Sequence, residues 1–133
     1  MKYSAYYVEE IDGVFSASIS ELELKKPSDG FVQIQVSCSS LNYKDALSAS
    51  GNKGVTRNYP FVPGIDAVGT ISDANSSNFV EGDEVLVTGY DMGMNTPGGF
   101  GEFINVPANW VVKKPSALTS IEAMSIGTAG LTA

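Results

Sequence analysis

Alternating apolar and polar positions dominate the first two-thirds of the chain. Val32, Ile34, Val36 and Cys38 alternate with Gln33, Gln35 and Ser37, the pattern of a strand with one face on a core and the other on solvent. Tyr3, Ala5 and Tyr7 interleave with Ser4, Tyr6 and Val8 as a first strand. Residues 14–19 read as its returning partner across the turn signal Asp12-Gly13. Pro27-Ser28-Asp29-Gly30 is a second turn. Residues 67–71, 84–88, 101–106 and 110–113 supply further short strands. Many short strands joined by glycine-rich links predict a mainly β fold, a barrel or a sandwich.

Two helical pieces interrupt the strands. The first opens at Asn42, a good N-cap, with Asp45 in its first turn to complement the helix dipole, and runs to about Ser50 before Gly51. The second opens at Thr119 with Glu122 three positions on, the spacing of a capping box. Pro115 closes the strand before it. Residues 126–133, IGTAGLTA, read as the opening of another element. Natural domains seldom end on the first turn of a helix, so the pattern predicts a piece of a longer protein.

Composition narrows the chemistry. A length of 133 residues suits one domain with one core. The chain has no apolar run of membrane-spanning length, and MKYSAYYVEE lacks the layout of a signal peptide, which predicts a soluble, cytoplasmic protein. A net charge of −7 argues against binding nucleic acid through its phosphates and is read as solubility. Histidine is absent, which removes Ser-His-Asp and Cys-His catalysis and every His-containing zinc site. The single cysteine, Cys38, can form neither an internal disulfide nor a Cys-rich metal site, and facing inward it would act as a small apolar residue. Asn75-Ser76-Ser77 matches a glycosylation sequon, read as chance without a secretory signal.

Three segments carry candidate chemistry, each with a plainer structural alternative. In residues 39–45, SSLNYKD, Asn42 offers hydrogen bonds, Tyr43 a stacking surface or a proton, and Asp45 an anchor; the alternative is a capped helix with a core tyrosine. In residues 60–69, PFVPGIDAVG, Asp66 is an acid among apolar neighbours, either paired, raised in pKa, or capping backbone. Residues 88–102, TGYDMGMNTPGGFGE, permit close backbone approach at Gly98-Gly99-Phe100; the alternative is a long hairpin loop. No Gly-rich dinucleotide fingerprint and no Walker A sequence is present.

In order, SLNYKDAL, YPFVPGIDAVGTI, EGDEVLVTGY, GGFGEFINVP and GTAGLTA resemble the GroES-like domain of the medium-chain dehydrogenase/reductase superfamily. Within it the similarity is to quinone oxidoreductases of the YhdH/YhfP type, which include acrylyl-CoA reductase. The resemblance implies a partly open β-barrel over residues 1–125, then the start of a linker helix at 126–133 leading to a Rossmann domain that lies beyond this chain. Zinc-dependent relatives have a cysteine ligand where Asn42 stands and a His-Glu pair where Ile65-Asp66 stands; amide and isoleucine side chains cannot replace thiolate and imidazole, so the resemblance implies no metal. The implied reaction is NADPH-dependent hydride transfer to the conjugated C=C of an acryloyl-CoA, an enone or a quinone, with the charge on the carbonyl oxygen met by hydrogen-bond donors. Asn42, Tyr43 and Asp45 are the implied catalytic group. Asn42, Tyr43 and Thr128 are the implied cofactor contacts, and Arg57 and Tyr90 the candidate substrate contacts. The implied partners are a small-molecule substrate and a second copy of the full-length protein, and the 133-residue chain alone is expected to be inactive. Two other classes fit a GroES-like barrel: a non-catalytic binding or interaction module, and an oligomeric structural barrel.

Overall fold

A computed structural model describes residues 1–132. Strands β1 (Lys2–Ile11) and β2 (Val14–Glu23) form an antiparallel hairpin in which Ile11 faces Val14. Asp12 and Gly13 both take positive φ, 52° and 79°, as a two-residue hairpin turn requires. The main sheet is wholly antiparallel. Its order is β6 (Phe103–Pro107), β3 (Phe31–Ser39), β4 (Asp66–Asp73), β5 (Glu84–Thr88) and β7 (Val112–Lys113).

The hairpin closes part of the gap between sheet edges. Tyr6 N–H donates to Phe100 O at 2.8 Å, and Val8 exchanges hydrogen bonds of 2.9 and 3.0 Å with Phe61. The strands thus make the expected partly open barrel, its sheet not closed. Val32 and Ile34 of β3 meet Ala67 and Ile71 of β4, Val85 and Val87 of β5, Met92, Ile104 and Val106. Full burial of each Val, Ile or Met contributes about 1.5–3 kcal/mol.

Several local readings needed correction. The alternation predicted Gln33 on solvent, yet it is buried, because β3 is an interior strand and side chains of β4 and β6, with the Lys25 carbonyl, close around this position. Its amide is satisfied by Lys25 O at 3.0 Å, Asn105 Oδ1 at 3.2 Å and Ser72 Oγ at 3.0 Å. Cys38 is half-buried rather than in the core, next to a β3–β4 register shift between Val36 and Cys38 that interrupts the regular alternation there. The segment read as a strand at 110–113 begins as a short 3-10 turn, Ala108–Trp110, and pairs only at Val112–Lys113. The loop from Gly89 to Glu102 is not a hairpin: it leaves β5 and crosses to β6, which lies on the far side of β4 and β3. Asn75 Nδ2 donates to the carbonyls of Pro27, Ser28 and Phe31, pinning the β4–β5 loop under the turn before β3.

Helix α1 (Tyr43–Ala49) follows β3 directly. Its rear is fixed by buried Ser48, which receives Thr56 Oγ1 on its hydroxyl at 2.7 Å and Tyr59 OH on its carbonyl at 2.6 Å. Helix α2 (Ser120–Thr132) opens with the predicted capping box: Glu122 N–H donates to Thr119 Oγ1 at 3.1 Å and Thr119 N–H to Glu122 Oε1 at 2.9 Å. Ahead of it, Lys114 is buried with its side chain 4% exposed; its ammonium donates to Leu118 O and Pro115 O and lies 3.6 Å from Glu84 Oε2. Gly127, at φ 52° and ψ −165°, breaks α2 between Ile126 and Thr128. Ala133, the last residue of the predicted linker helix, lies outside the described residues. Among the described residues, no helix is long and apolar enough to cross a membrane.

Candidate active site

The end of β3 and the residues just after it deliver three polar anchors, Ser39, Ser40 and Asn42, to one place. Ser39 Oγ donates to Gly99 O at 2.6 Å and Ser40 Oγ to Asp66 Oδ2 at 3.1 Å. Asn42 then caps α1: its Oδ1 accepts Lys44 N–H at 3.0 Å, and its own N–H donates to Asp45 Oδ2 at 2.8 Å. This is the short-range signal that Asn42 and Asp45 carried in the sequence, and it forms as a full capping box.

Asp45 does more than cap. It is 3% exposed, and its Oδ1 accepts the N–H of Ile65 at 3.0 Å. Burial raises its pKa; the N–H groups of Asn42, Ile65 and Gly64 pull it down, and repulsion from Asp66 raises it further. The next residue, Asp66, is 1% exposed and fully paired. It accepts Ser40 Oγ and, from α2, Thr128 N–H at 2.9 Å and Thr128 Oγ1 at 2.5 Å. Of the three readings open for Asp66, pairing and backbone capping hold together. Two adjacent buried carboxyls therefore tie α1, β4 and the second half of α2 into one unit.

The bend at Pro63-Gly64 is covered by the long loop. Gly99 N–H donates to Gly64 O at 2.9 Å and Phe100 N–H to Pro63 O at 3.0 Å. Gly64 has φ 110°, and a Cβ there would meet Gly99 N and Phe100 N at 2.8 Å. The close approach expected at Gly98-Gly99-Phe100 is thus to the chain's own backbone.

Beside α1 this packing leaves an apolar cleft of about 440 Å³, lined by Tyr6, Leu41, Asn42, Asp45, Ala46, Ala49 and Phe100. Tyr6 and Phe100 meet edge to face at 6.4 Å, and Leu41 is 86% exposed at the rim. An apolar, aromatic-walled opening with one amide at its edge has the chemistry to receive a flat heteroaromatic ring such as a nicotinamide. Another cavity of about 320 Å³, between β1, β2 and β6, holds none of the candidate residues.

The structure brings only two of the candidate residues together in the cleft. Asn42 and Asp45 line the cleft. Tyr43 is 77% exposed on the first turn of α1, so the core-tyrosine alternative does not hold. Thr128 is tied to the same unit through Asp66, and a Cβ on Gly89 would lie 3.6 Å from its Oγ1. Tyr90, next along, stacks its ring on Trp110 at 5.2 Å with planes 7° apart. Arg57 is exposed, and its N–H donates to Asn95 Oδ1 at 3.1 Å. The sequence reading left Asp66 out of the site, because its partner Thr128 lies 62 residues away. Among the described residues, no cluster of three or more His, Cys, Asp or Glu side chains is arranged to hold a metal ion.

An antiparallel, partly open barrel with an apolar cleft beside the helix that follows β3 has the architecture of a GroES-like domain. Residues 28–116 match the alcohol dehydrogenase GroES-like domain, and the chain belongs to that family. It is 43% identical over 129 residues to the Escherichia coli protein named "Probable acrylyl-CoA reductase AcuI", covering 97% of this chain and 40% of that one. Two solved structures superpose closely. The YhdH oxidoreductase from Salmonella enterica in complex with NADP has a TM-score of 0.90 at 43% identity, over 97% of this chain and 40% of that one. The Bacillus subtilis protein YhfP with NAD bound has a TM-score of 0.93 at 36% identity, over 99% of this chain and 40% of that one. The chain thus spans about two-fifths of the length of these relatives.

Proposed function

We propose that this chain is the catalytic-domain portion of a zinc-independent, NADPH-dependent reductase of conjugated C=C bonds. The observation that carries the reading is the apolar cleft edged by Asn42 and anchored by Asp45, in a chain 43% identical to an oxidoreductase solved with NADP. The donor set supports a zinc-free reaction. Asn42 uses its oxygen on the cap of α1, Ile65 is buried at 1% exposure, and histidine is absent from the chain.

When bound, NADPH supplies two electrons as a hydride to the β-carbon of an acryloyl-CoA, an enone or a quinone. Negative charge then develops on the substrate's carbonyl oxygen, and a proton is added to complete the reduction. Tyr43, exposed at the helix start, presents a hydroxyl able to donate to that oxygen. Asn42 holds the cleft edge, and Asp45 and Asp66 fix the backbone behind it without meeting solvent. Arg57 offers a cation to an anionic substrate such as a CoA ester. The same reading includes a cytoplasmic homodimer, checked by light scattering.

The test is NADPH oxidation by the complete gene product in the presence of acryloyl-CoA, a simple enone and a quinone. Substrate-dependent oxidation with at least one is expected. No acceleration by any of the three would sink the proposal.

A further inference from the structure

Among the described residues, backbone hydrogen bonds tie only one strand of the hairpin to the barrel. In β1, Ser4 O accepts Glu102 N–H at 3.0 Å, Tyr6 N–H reaches Phe100 O, and Val8 exchanges two bonds with Phe61. β2 pairs with β1 and, among the described residues, with no other strand. Its outer edge is 10 residues long, Val14–Glu23. Proteins blunt a free edge of that length with lysine, proline or a bulge. VFSASISELE holds no lysine and no proline, and its register against β1 runs without a shift. The edge strands of the main sheet are short by comparison: β6 has 5 residues and ends on Pro107, and β7 has 2. Along β2, Ser16, Ala17 and Ser18 are exposed, and Ile19 is 73% exposed.

The order of side chains makes this edge complementary to itself. Lay β2 antiparallel against a second β2 with Ser18 on the two-fold axis. Ser16 then stands opposite Ser20, Ala17 opposite Ile19 and Val14 opposite Leu22. Hydroxyl meets hydroxyl, and apolar meets apolar. Glu21 falls opposite Phe15 and Glu23 opposite Gly13, so no two carboxylates face each other. Moving the axis to Ile19 would set Leu22 against Ser16 and Glu21 against Ala17, and moving it to Glu21 would oppose two glutamates. The axis cannot fall between residues, because opposed side chains share a face and successive ones alternate. We infer that the outer edge of β2 is a self-pairing surface, where two copies of this chain join as antiparallel strands centred on Ser18. The two hairpins become one continuous sheet. A two-fold contact requires a surface that fits itself, and a second copy is the partner this edge fits. The inference rests on the homodimer included in the proposed function and names its interface; the catalytic reading does not enter.

Cysteine cross-linking in the complete gene product tests the register. Opposed residues of antiparallel strands lie about 4.5–5.5 Å apart at Cα, within disulfide range. Ser18→Cys, at an exposed position, should give a disulfide-linked dimer on mild oxidation, with the two introduced thiols joined to each other in the peptide map. Ser16→Cys alone should not link through position 16, since the two copies of that position are offset by roughly 13 Å along the strands. Mixed with Ser20→Cys, it should. Ser18→Lys sets two ammonium groups together on the axis and should weaken the dimer by about tenfold or more in sedimentation equilibrium. A dimer that resists Ser18→Lys and gives none of these cross-links overturns the inference and leaves the homodimer standing on another surface. Linkage of Ser16→Cys to itself overturns the register centred on Ser18. A complete gene product that is monomeric at every concentration overturns both the interface and the homodimer, with the proposed reductase activity untouched.

Discussion

Asp45 Oδ1 accepts the backbone N–H of Ile65 at 3.0 Å, so an acid in the first turn of α1 holds the residue that precedes Asp66. One side chain thus sets both the start of a helix and the start of a strand 20 residues on. Replacing it by Ala would leave the Ile65 and Asn42 N–H groups without this acceptor.

That placement has a pH signature. Burial holds the Asp45 carboxyl above its ordinary 3.8, so the folded chain takes up the proton before the unfolded chain does. The ionised form is therefore relatively disfavoured by folding. Its penalty is absent below the unfolded value, grows as pH rises through the folded value, and is complete above it. The Asp45 carboxyl carbon, followed by NMR, should titrate with a midpoint above 3.8. A midpoint at or below 3.8 would contradict the balance of burial and backbone hydrogen bonds described here.

Gly64→Ala should unfold the chain or cost well over the strain of its backbone alone. The φ of 110° disfavours any side chain, and the new Cβ would press on Gly99 N and Phe100 N at 2.8 Å. Gly13→Ala is the control: its φ is 79°, but a Cβ meets nothing within 4 Å, so only the conformational penalty of about 1–2 kcal/mol applies. Urea denaturation of both variants checks this, and equal losses would show that the bend is not tightly packed.

Tyr43→Phe should leave stability within about 0.5 kcal/mol, since the ring is 77% exposed. In the complete gene product it should lower turnover by roughly ten- to a hundred-fold, the worth of a hydrogen bond to a developing charge. Cofactor affinity should change little. Unaltered turnover with acryloyl-CoA or an enone would remove Tyr43 as a catalytic donor.

The purified protein should carry no stoichiometric zinc. Elemental analysis after purification without chelator decides it, and near-equimolar zinc would overturn the metal-free reading. The basis is the donor set: an amide at Asn42 and a buried aliphatic side chain at Ile65, neither a zinc ligand of thiolate or imidazole type.

The features readable in the sequence were those written locally. The β3 strand, the Asp12-Gly13 turn, the Asn42 N-cap and the Thr119–Glu122 capping box depend on residues within a few positions of one another, and each formed. What escaped were contacts between distant segments. Gln33 has the polarity of a surface residue, and only the presence of β4 and β6 on either side makes it interior. The long loop has the glycines of a hairpin, and its destination at β6 is a matter of topology. Asp66 showed its unusual neighbours but not its partner, because Thr128 and Ser40 reach it from separate elements. Residues far apart in sequence meet only once the core has chosen its strand order.

Lys114 makes the molecule report on its own breathing. Every other lysine is exposed, whereas the Lys114 amine is enclosed by Leu118 O, Pro115 O and Glu84. An amine-directed acylating reagent will therefore modify the other lysines at once and Lys114 only when the turn before α2 swings open. The lag of that one modification, read by mass spectrometry, is a clock for how often α2 lifts from the barrel.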